Sequence, residues 1–346
     1  MKAVQFHGHG ETDVIAYEEA PDPAVGRNDV LVDIEAGALN HLDIWTRRGL
    51  PGLDLEMPHV PGSDGAGVVL EVGDGVSRFE PGDHVALSAG VSCGECEFCR
   101  DGEESMCTNY HIIGEHVSGV HSELASIPED NLVLVPDHVD WETAAAAPLV
   151  FQTAWRMLVT RADLSPGETV LVLGASGGVG HAAVQIADYA GAEVIATASS
   201  EEKLAYAAEI GADHAIDYES ENFASAVREL TGKRGVDVVV DHIGAATWQD
   251  SLRSLAKGGR LVTCGATTGP NPETDIRRIF WNQLSVIGST MGTPGEVDDV
   301  LSLVWDGTFD VRVRDVLPMS ETATAHDMIE NREGFGKVVV VPDGEY

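Results

Sequence analysis

The chain has 346 residues, enough for about two domains, and its 43% hydrophobic content with 38 glycines excludes intrinsic disorder as its main state. Against 21 Lys+Arg stand 57 Asp+Glu, a formal net charge of -36, which excludes nucleic acid and anionic membrane surfaces as partners. The basic residues are 16 Arg and only five Lys, and the acids run along the whole chain rather than forming a tail. Such charge repels itself in dilute buffer, but molar salt shortens the Debye length to about 3 Å. The composition therefore predicts the cytoplasm of a halophile.

Up to about residue 124, short apolar alternations at 3–6, 30–36, 67–72 and 84–87, broken by Gly and Pro, predict an irregular all-β region. The first residues hold neither a long apolar run nor a small-residue cleavage site, and no stretch reaches about 18 uncharged apolar residues, so no targeting or spanning segment is expected. From residue 169 the rhythm changes. Apolar runs at 169–173, 193–197, 214–217, 236–241, 260–263 and 284–288 alternate with helical stretches near 179–190, 201–210, 223–231 and 247–256. Runs buried on both faces with helical crossovers predict an α/β, doubly wound parallel sheet. Two helical stretches (295–305, 321–331) and a strand (336–341) then return to complete the first domain. The expected organisation is a β-rich domain over 1–125 and 289–346 with a Rossmann domain over 126–288 inserted. The outer strand 284–288 would leave an edge that a two-fold partner can continue, which predicts a homodimer or a homotetramer built from dimers.

Four of the five cysteines, Cys93, Cys96, Cys99 and Cys107, fall within fifteen positions as C-x2-C-x2-C-x7-C. That suits a metal in a reducing compartment better than a disulfide framework. Four thiolates make a closed tetrahedral zinc site with no open position for chemistry, and the last gap does not fit a ferredoxin iron–sulfur run. Cys264 is a lone residue expected simply to pack.

The first of the later strands runs into Gly174, Ala175, Ser176, Gly177, Gly178, Val179 and Gly180, and then into an Ala-rich helix. Between strand and helix, glycines permit the tight turn and let backbone N–H groups approach a pyrophosphate at the helix N-terminus. An NAD site usually ends its second strand with an acid for the ribose 2′-hydroxyl. Here the strand tip reads Ala198, Ser199, Ser200, Glu201, Glu202, Lys203, so two hydroxyls and a rare lysine are the candidates for the 2′-phosphate of NADPH. Lys203 has the competing reading of a solvated residue on the first helical turn.

The β-rich start, the four-cysteine loop and the inserted nucleotide domain together resemble the medium-chain dehydrogenase/reductase superfamily. The segments Pro61-Gly-Ser-Asp-Gly-Ala-Gly67, Pro81-Gly-Asp-His-Val85 and Gly336-Lys-Val-Val339, with the alanine run before Pro148, carry the likeness over essentially the whole chain. The resemblance implies a GroES-like catalytic domain and a structural zinc on the four cysteines. It also implies a 2′-phosphate contact at Lys203 and at Tyr218. In the zinc alcohol dehydrogenases of this superfamily a Cys, a His and a Cys hold a catalytic zinc. Asn40, Ser63 and Leu149 occupy those places here, and Leu42 replaces the hydroxyl that relays the alcohol proton. Three lost ligands leave no soft donor set for a tetrahedral ion, although His41, Asp43, Asp64 and His116 are competent to rebuild one.

The expected function is thus an NADPH-dependent reductase acting on a small molecule, a quinone or a carbonyl-activated alkene such as an enone or enoyl thioester, with one structural zinc. Asn40, Ser63 and His41 are the candidate donors to the developing oxyanion, and His41 or water the proton source. The resemblance gives His41 a competing role at the cofactor pyrophosphate, and Asp43 one as an orienting neighbour. An alcohol or polyol dehydrogenase with a rebuilt metal site and a nucleotide-binding protein without turnover are the alternatives.

Overall fold

A computed structural model describes residues 1–332 and 334–344. The chain divides into two compact units, Met1–Leu149 with the chain from Gly292 onward, and Val150–Met291.

The first unit is built on a seven-stranded sheet. Its spine is the ten-residue strand Asp29–Ala38, whose alternating burial follows the period-two pattern of the sequence. The N-terminal half of that strand pairs antiparallel with Leu124–Pro128, and its C-terminal half with Lys337–Val341, so the last strand completes a sheet begun near residue 30. Gly65–Val72 lies on its other side, with register shifts at Leu31/Val32 and Ile34/Ala36. At the second shift Gly67 is indispensable, because a Cβ there would stand 1.9 Å from the Asp33 carbonyl oxygen.

The domain boundary falls at Leu149/Val150, not at 125/126 as the sequence pattern suggested, and the return is at 291/292 rather than 288/289. The reason is pairing. Leu132–Leu134 extends the first unit's sheet along His84–Leu87, and helix Trp141–Ala146 buries Ala144, Ala145 and Ala146 against that sheet.

The second unit carries six parallel strands in the order His214–Asp217, Glu193–Ala198, Thr169–Val172, Val236–Val240, Leu255–Thr263, Ser285–Gly288. This is the doubly wound arrangement, with its switch point beside Thr169–Val172. Leu171, Ile195, Val239, Leu252 and Leu261 belong to its core. The helix expected over 247–256 stops at Ser254, because Leu255 already pairs with Val236 and opens the next strand five residues before its expected start at 260. Among the described residues no helix is long and apolar enough to cross a membrane.

Candidate active site and metal-binding lobe

The cysteine lobe lies between the paired strands Gly90–Val91 and His111–Ile112. Cys96 precedes the short helix Glu97–Arg100, and Gly94 and Gly102 take positive φ to turn the chain around the four thiols. The four Sγ atoms lie within 4.8 Å of one another, with Cys93–Cys99 at 4.0 Å and Cys96–Cys99 at 3.5 Å. A tetrahedral ion with metal–sulfur bonds near 2.3 Å needs edges of about 3.8 Å, so the spacing fits zinc. Backbone amides reinforce this fit. The N–H groups of Cys93 and Asn109 each donate to Cys107 Sγ at 3.3 Å. The amides of Glu95 and Cys96 hold Cys93 below the usual thiol range, and those of Cys99 and Thr108 do the same for Cys96. Thiolate is the ligating form.

The second cluster gathers around the start of helix His41–Arg48. Asp43 turns back so that its Oδ2 accepts from the Asn40 amide at 2.7 Å, while its Oδ1 accepts from the Gly62 amide at 3.1 Å. Burial drives the Asp43 carboxyl up to about 6 against those bonds and against Lys337. Asp64 is also fully buried and also raised by burial. Its Oδ1 accepts from the Leu149 amide at 2.9 Å, and its Oδ2 accepts from Asn40 Nδ2 at 2.8 Å and from Lys337 Nζ at 3.1 Å. Lys337 Nζ also donates to Asn40 Oδ1 at 2.6 Å. Between two anchored neighbours, Ser63 presents a buried hydroxyl with no hydrogen-bond partner among the described residues.

Asn40, Asp43 and Ser63 are thus brought into one neighbourhood through residues 62–64. His41 stands at the first turn of the helix with its side chain exposed. His116 lies two residues beyond Gly114, where a Cβ would stand 2.7 Å from Ser63 Oγ; it is half exposed, its Nδ1 accepting from the Ile112 amide at 3.2 Å. Among the described residues the cysteines are the one group of three or more metal-ligating side chains whose ligand atoms converge; His41, Asp43, Asp64 and His116 form no such group. Lys337 is visible in the sequence only within the family segment 336–339. Its signal was the one applied to Lys203: in a chain with five lysines, each asks for a reason.

In the second unit, strand Thr169–Val172 delivers the glycine turn to helix Gly178–Tyr189, with Gly177 as its N-cap. Gly174 has φ +59°, and a Cβ on Gly180 would stand 2.2 Å from the Gly174 carbonyl oxygen, so the turn closes only with glycine. Thr197, overlooked in the sequence, fixes the turn: its Oγ1 accepts from the Gly174 amide at 3.2 Å and its carbonyl from Ala175 at 3.0 Å. Ser176 lies in this turn, and Gly178 and Val179 supply first-turn N–H groups that have no carbonyl one turn back. A cradle of this shape fits a pyrophosphate.

At the tip of the second strand Ala198 is buried, and Lys203 Nζ reaches Ser199 Oγ at 3.5 Å. Ser200 caps helix Glu201–Glu209 by accepting from the Lys203 amide. The Tyr218 amide donates to the Ala198 carbonyl at 3.2 Å, which brings its half-exposed ring to the same strand tips. Ser199, Ser200, Lys203 and Tyr218 therefore share one end of the sheet. His242, also overlooked, stands beside the turn, its Nε2 3.3 Å from where a Cβ on Gly174 would lie.

Family models agree with this architecture, one for the alcohol dehydrogenase GroES-like domain over residues 26–137 and one for the zinc-binding dehydrogenase over 178–306. An acryloyl-coenzyme A reductase of Metallosphaera sedula is 33% identical over 98% of this chain and 99% of its own length. A solved NAD-dependent alcohol dehydrogenase is 43% identical, with a TM-score of 0.95 and 99% of both chains covered. A crotonyl-CoA carboxylase/reductase solved in complex with NADP is 26% identical, with a TM-score of 0.92 and 99% of this chain and 95% of that one covered. The chain belongs to the medium-chain dehydrogenase/reductase superfamily, within its zinc-type alcohol dehydrogenase-like family, and is an oxidoreductase of that family.

Proposed function

We propose that this enzyme is an NADPH-dependent reductase that delivers hydride to a carbonyl-activated alkene, an enone or enoyl thioester, or to a quinone, with zinc confined to the cysteine lobe. One observation carries the reading: around Asn40, Ser63 and Leu149 the described residues bring together no convergent set of metal-ligating side chains. Both oxygens of Asp43 and of Asp64 are already turned to N–H donors, Leu149 has no ligating side chain, and among the described residues no three ligand atoms converge there, so a tetrahedral ion has no donor set. Relatives named for acryloyl-CoA and crotonyl-CoA reduction support the thioester class. The solved alcohol dehydrogenase is the observation that favours a second reading, an alcohol or polyol dehydrogenase.

When bound at the glycine turn, the dinucleotide supplies a hydride from its reduced nicotinamide. The chain's part is to receive the negative charge that then develops on the carbonyl oxygen. The Ser63 hydroxyl is unspent, and the second N–H of Asn40 Nδ2 has only the Ala38 carbonyl at 3.5 Å, a distance at which little hydrogen bonding remains. Preorganised donors of this kind are worth about 3 kcal/mol each in a dry site. His41, exposed at the helix start, can exchange a proton with solvent. On the cofactor side, the relatives are named for both NAD and NADP, so the choice rests on Ala198 in place of an acid and on Lys203 beside Ser199.

The test is NADPH oxidation against panels of enoyl thioesters, enones, quinones and aldehydes. We expect turnover in the first three classes, and faster turnover of aldehydes would overturn the reading. In the same assay Lys203→Ala should raise the KM for NADPH roughly 10- to 100-fold, the worth of one charged hydrogen bond, and leave that for NADH nearly unchanged. Equal effects on both cofactors would sink the NADPH assignment.

The proposed setting is a halophile's reducing cytoplasm, from an archaeal source, supported by the acid excess and by four cysteines whose sulfurs converge without forming disulfides. The proposed assembly is a homodimer, or a tetramer of two such dimers, through the outer strand Ser285–Gly288. The neighbouring helix Ile276–Asn282 exposes Ile276, Phe280 and Trp281, and residues 276–295 contain no acid although 57 of the chain's 346 residues are acidic. An acid-free, apolar face beside an open sheet edge is the surface best suited to a two-fold partner. Sedimentation should show Trp281→Glu shifting dimers towards monomers, and an unchanged mass would refute the interface.

A further inference from the structure

The ammonium of Lys337 and the carboxylate of Asp64 are both almost wholly buried, and neither belongs to the groups proposed to meet substrate. Between them lies the Asn40 amide, with its oxygen on the cation and its nitrogen on the carboxylate. That placement fixes which way the amide faces. Turning it over would set its NH2 against the ammonium and its carbonyl oxygen against Asp64, two repulsions in place of two charged hydrogen bonds. Asp64 also holds the Leu149 amide, so one carboxylate joins four separate stretches of chain, at 40, 62–64, 149 and 337.

We infer that Lys337 is a positioning residue that, with Asp64, locks the Asn40 side chain with its N–H rather than its carbonyl oxygen available to an incoming oxyanion. The inference rests on the proposed role of Asn40 and deepens it. An Asn held by packing alone is free to offer either end, and the wrong end is an acceptor that repels developing negative charge. Lys337 decides between them, and its charge also balances that of Asp64. The strand Lys337–Val341 supplies the rigidity, because it pairs with the far half of Asp29–Ala38, directly before Asn40 in the chain.

A double-mutant cycle with Asn40→Ala and Lys337→Met tests this in two readouts. If Lys337 acts through Asn40, each single change should lower kcat at least about tenfold with the KM for NADPH moved less than about threefold, and the double variant should be no slower than the worse single. Multiplying effects on kcat would overturn the positioning role. The second readout is thermal stability, which needs no substrate and so keeps the inference testable if the proposed reaction fails. Because the two side chains share one network, their Tm losses should be non-additive, and additive losses would overturn the lock itself. Should Lys337→Met not fold, Lys337→Gln takes its place with the same expectations for both readouts, since a neutral amide leaves Asp64 unbalanced.

Discussion

Moved from molar KCl into dilute buffer, the protein should lose roughly 20 °C of Tm, or unfold outright. Even if every one of the 21 Lys and Arg paired with an acid, 36 of the 57 carboxylates would be left without a cationic partner. At low salt the Debye length is about 30 Å, so these charges feel one another across the whole molecule. Salt acts unequally on the ion pairs that exist. An exposed pair such as Arg277–Asp275 is worth little in any medium and less in brine, whereas Lys337–Asp64 lies out of reach of mobile ions. The site therefore keeps its electrostatics under the conditions that hold the fold together. Thermal unfolding across a KCl series checks this, with sucrose as a co-solvent that does not screen. An equal Tm in dilute buffer and molar KCl would refute the halophilic reading.

Cys96→Ser should lower Tm by about 10 °C and open residues 93–107 to proteolysis, while turnover well below Tm changes less than about threefold. A ribbon of two two-residue strands, a four-residue helix and one 3-10 turn has too little apolar surface to hold itself, so an ion bound by the four thiolates would contribute folding energy there. With four sulfurs for its four tetrahedral positions, such an ion would have none left on which to activate water. Limited proteolysis and steady-state rates read the two halves of this expectation. A variant that stays folded and protected but is inactive would assign the lobe a catalytic role.

The features legible in the sequence are those whose chemistry is local. The cysteine spacing, the glycine turn and the six apolar runs of the second unit each depend on residues within a few positions of one another, and all reappear in the structure. Pairings across the chain were not legible. Asn40 and Lys337 lie 297 positions apart and meet only because the last strand returns to the first unit's sheet. Strand Val313–Pro318 went unread because Arg314 and Asp315 interrupt its apolar pattern and none of its residues is fully buried. Helix Ile276–Asn282 has no buried residue at all, so no periodic core face announced it. The early domain boundary has the same origin: Leu132–Leu134 is too short to read as a strand without the partner that pairs with it.

The central claim is that this zinc-type fold carries out hydride transfer with zinc in its cysteine lobe alone. Elemental analysis of fully active protein, purified without chelator, tests it most directly. The account predicts one zinc per chain, lost together with the Cys93, Cys96, Cys99 and Cys107 site and not with Asn40→Ala or His41→Ala. Two zinc ions per chain, the second lost on His41→Ala or His116→Ala together with activity toward alcohols, would contradict it.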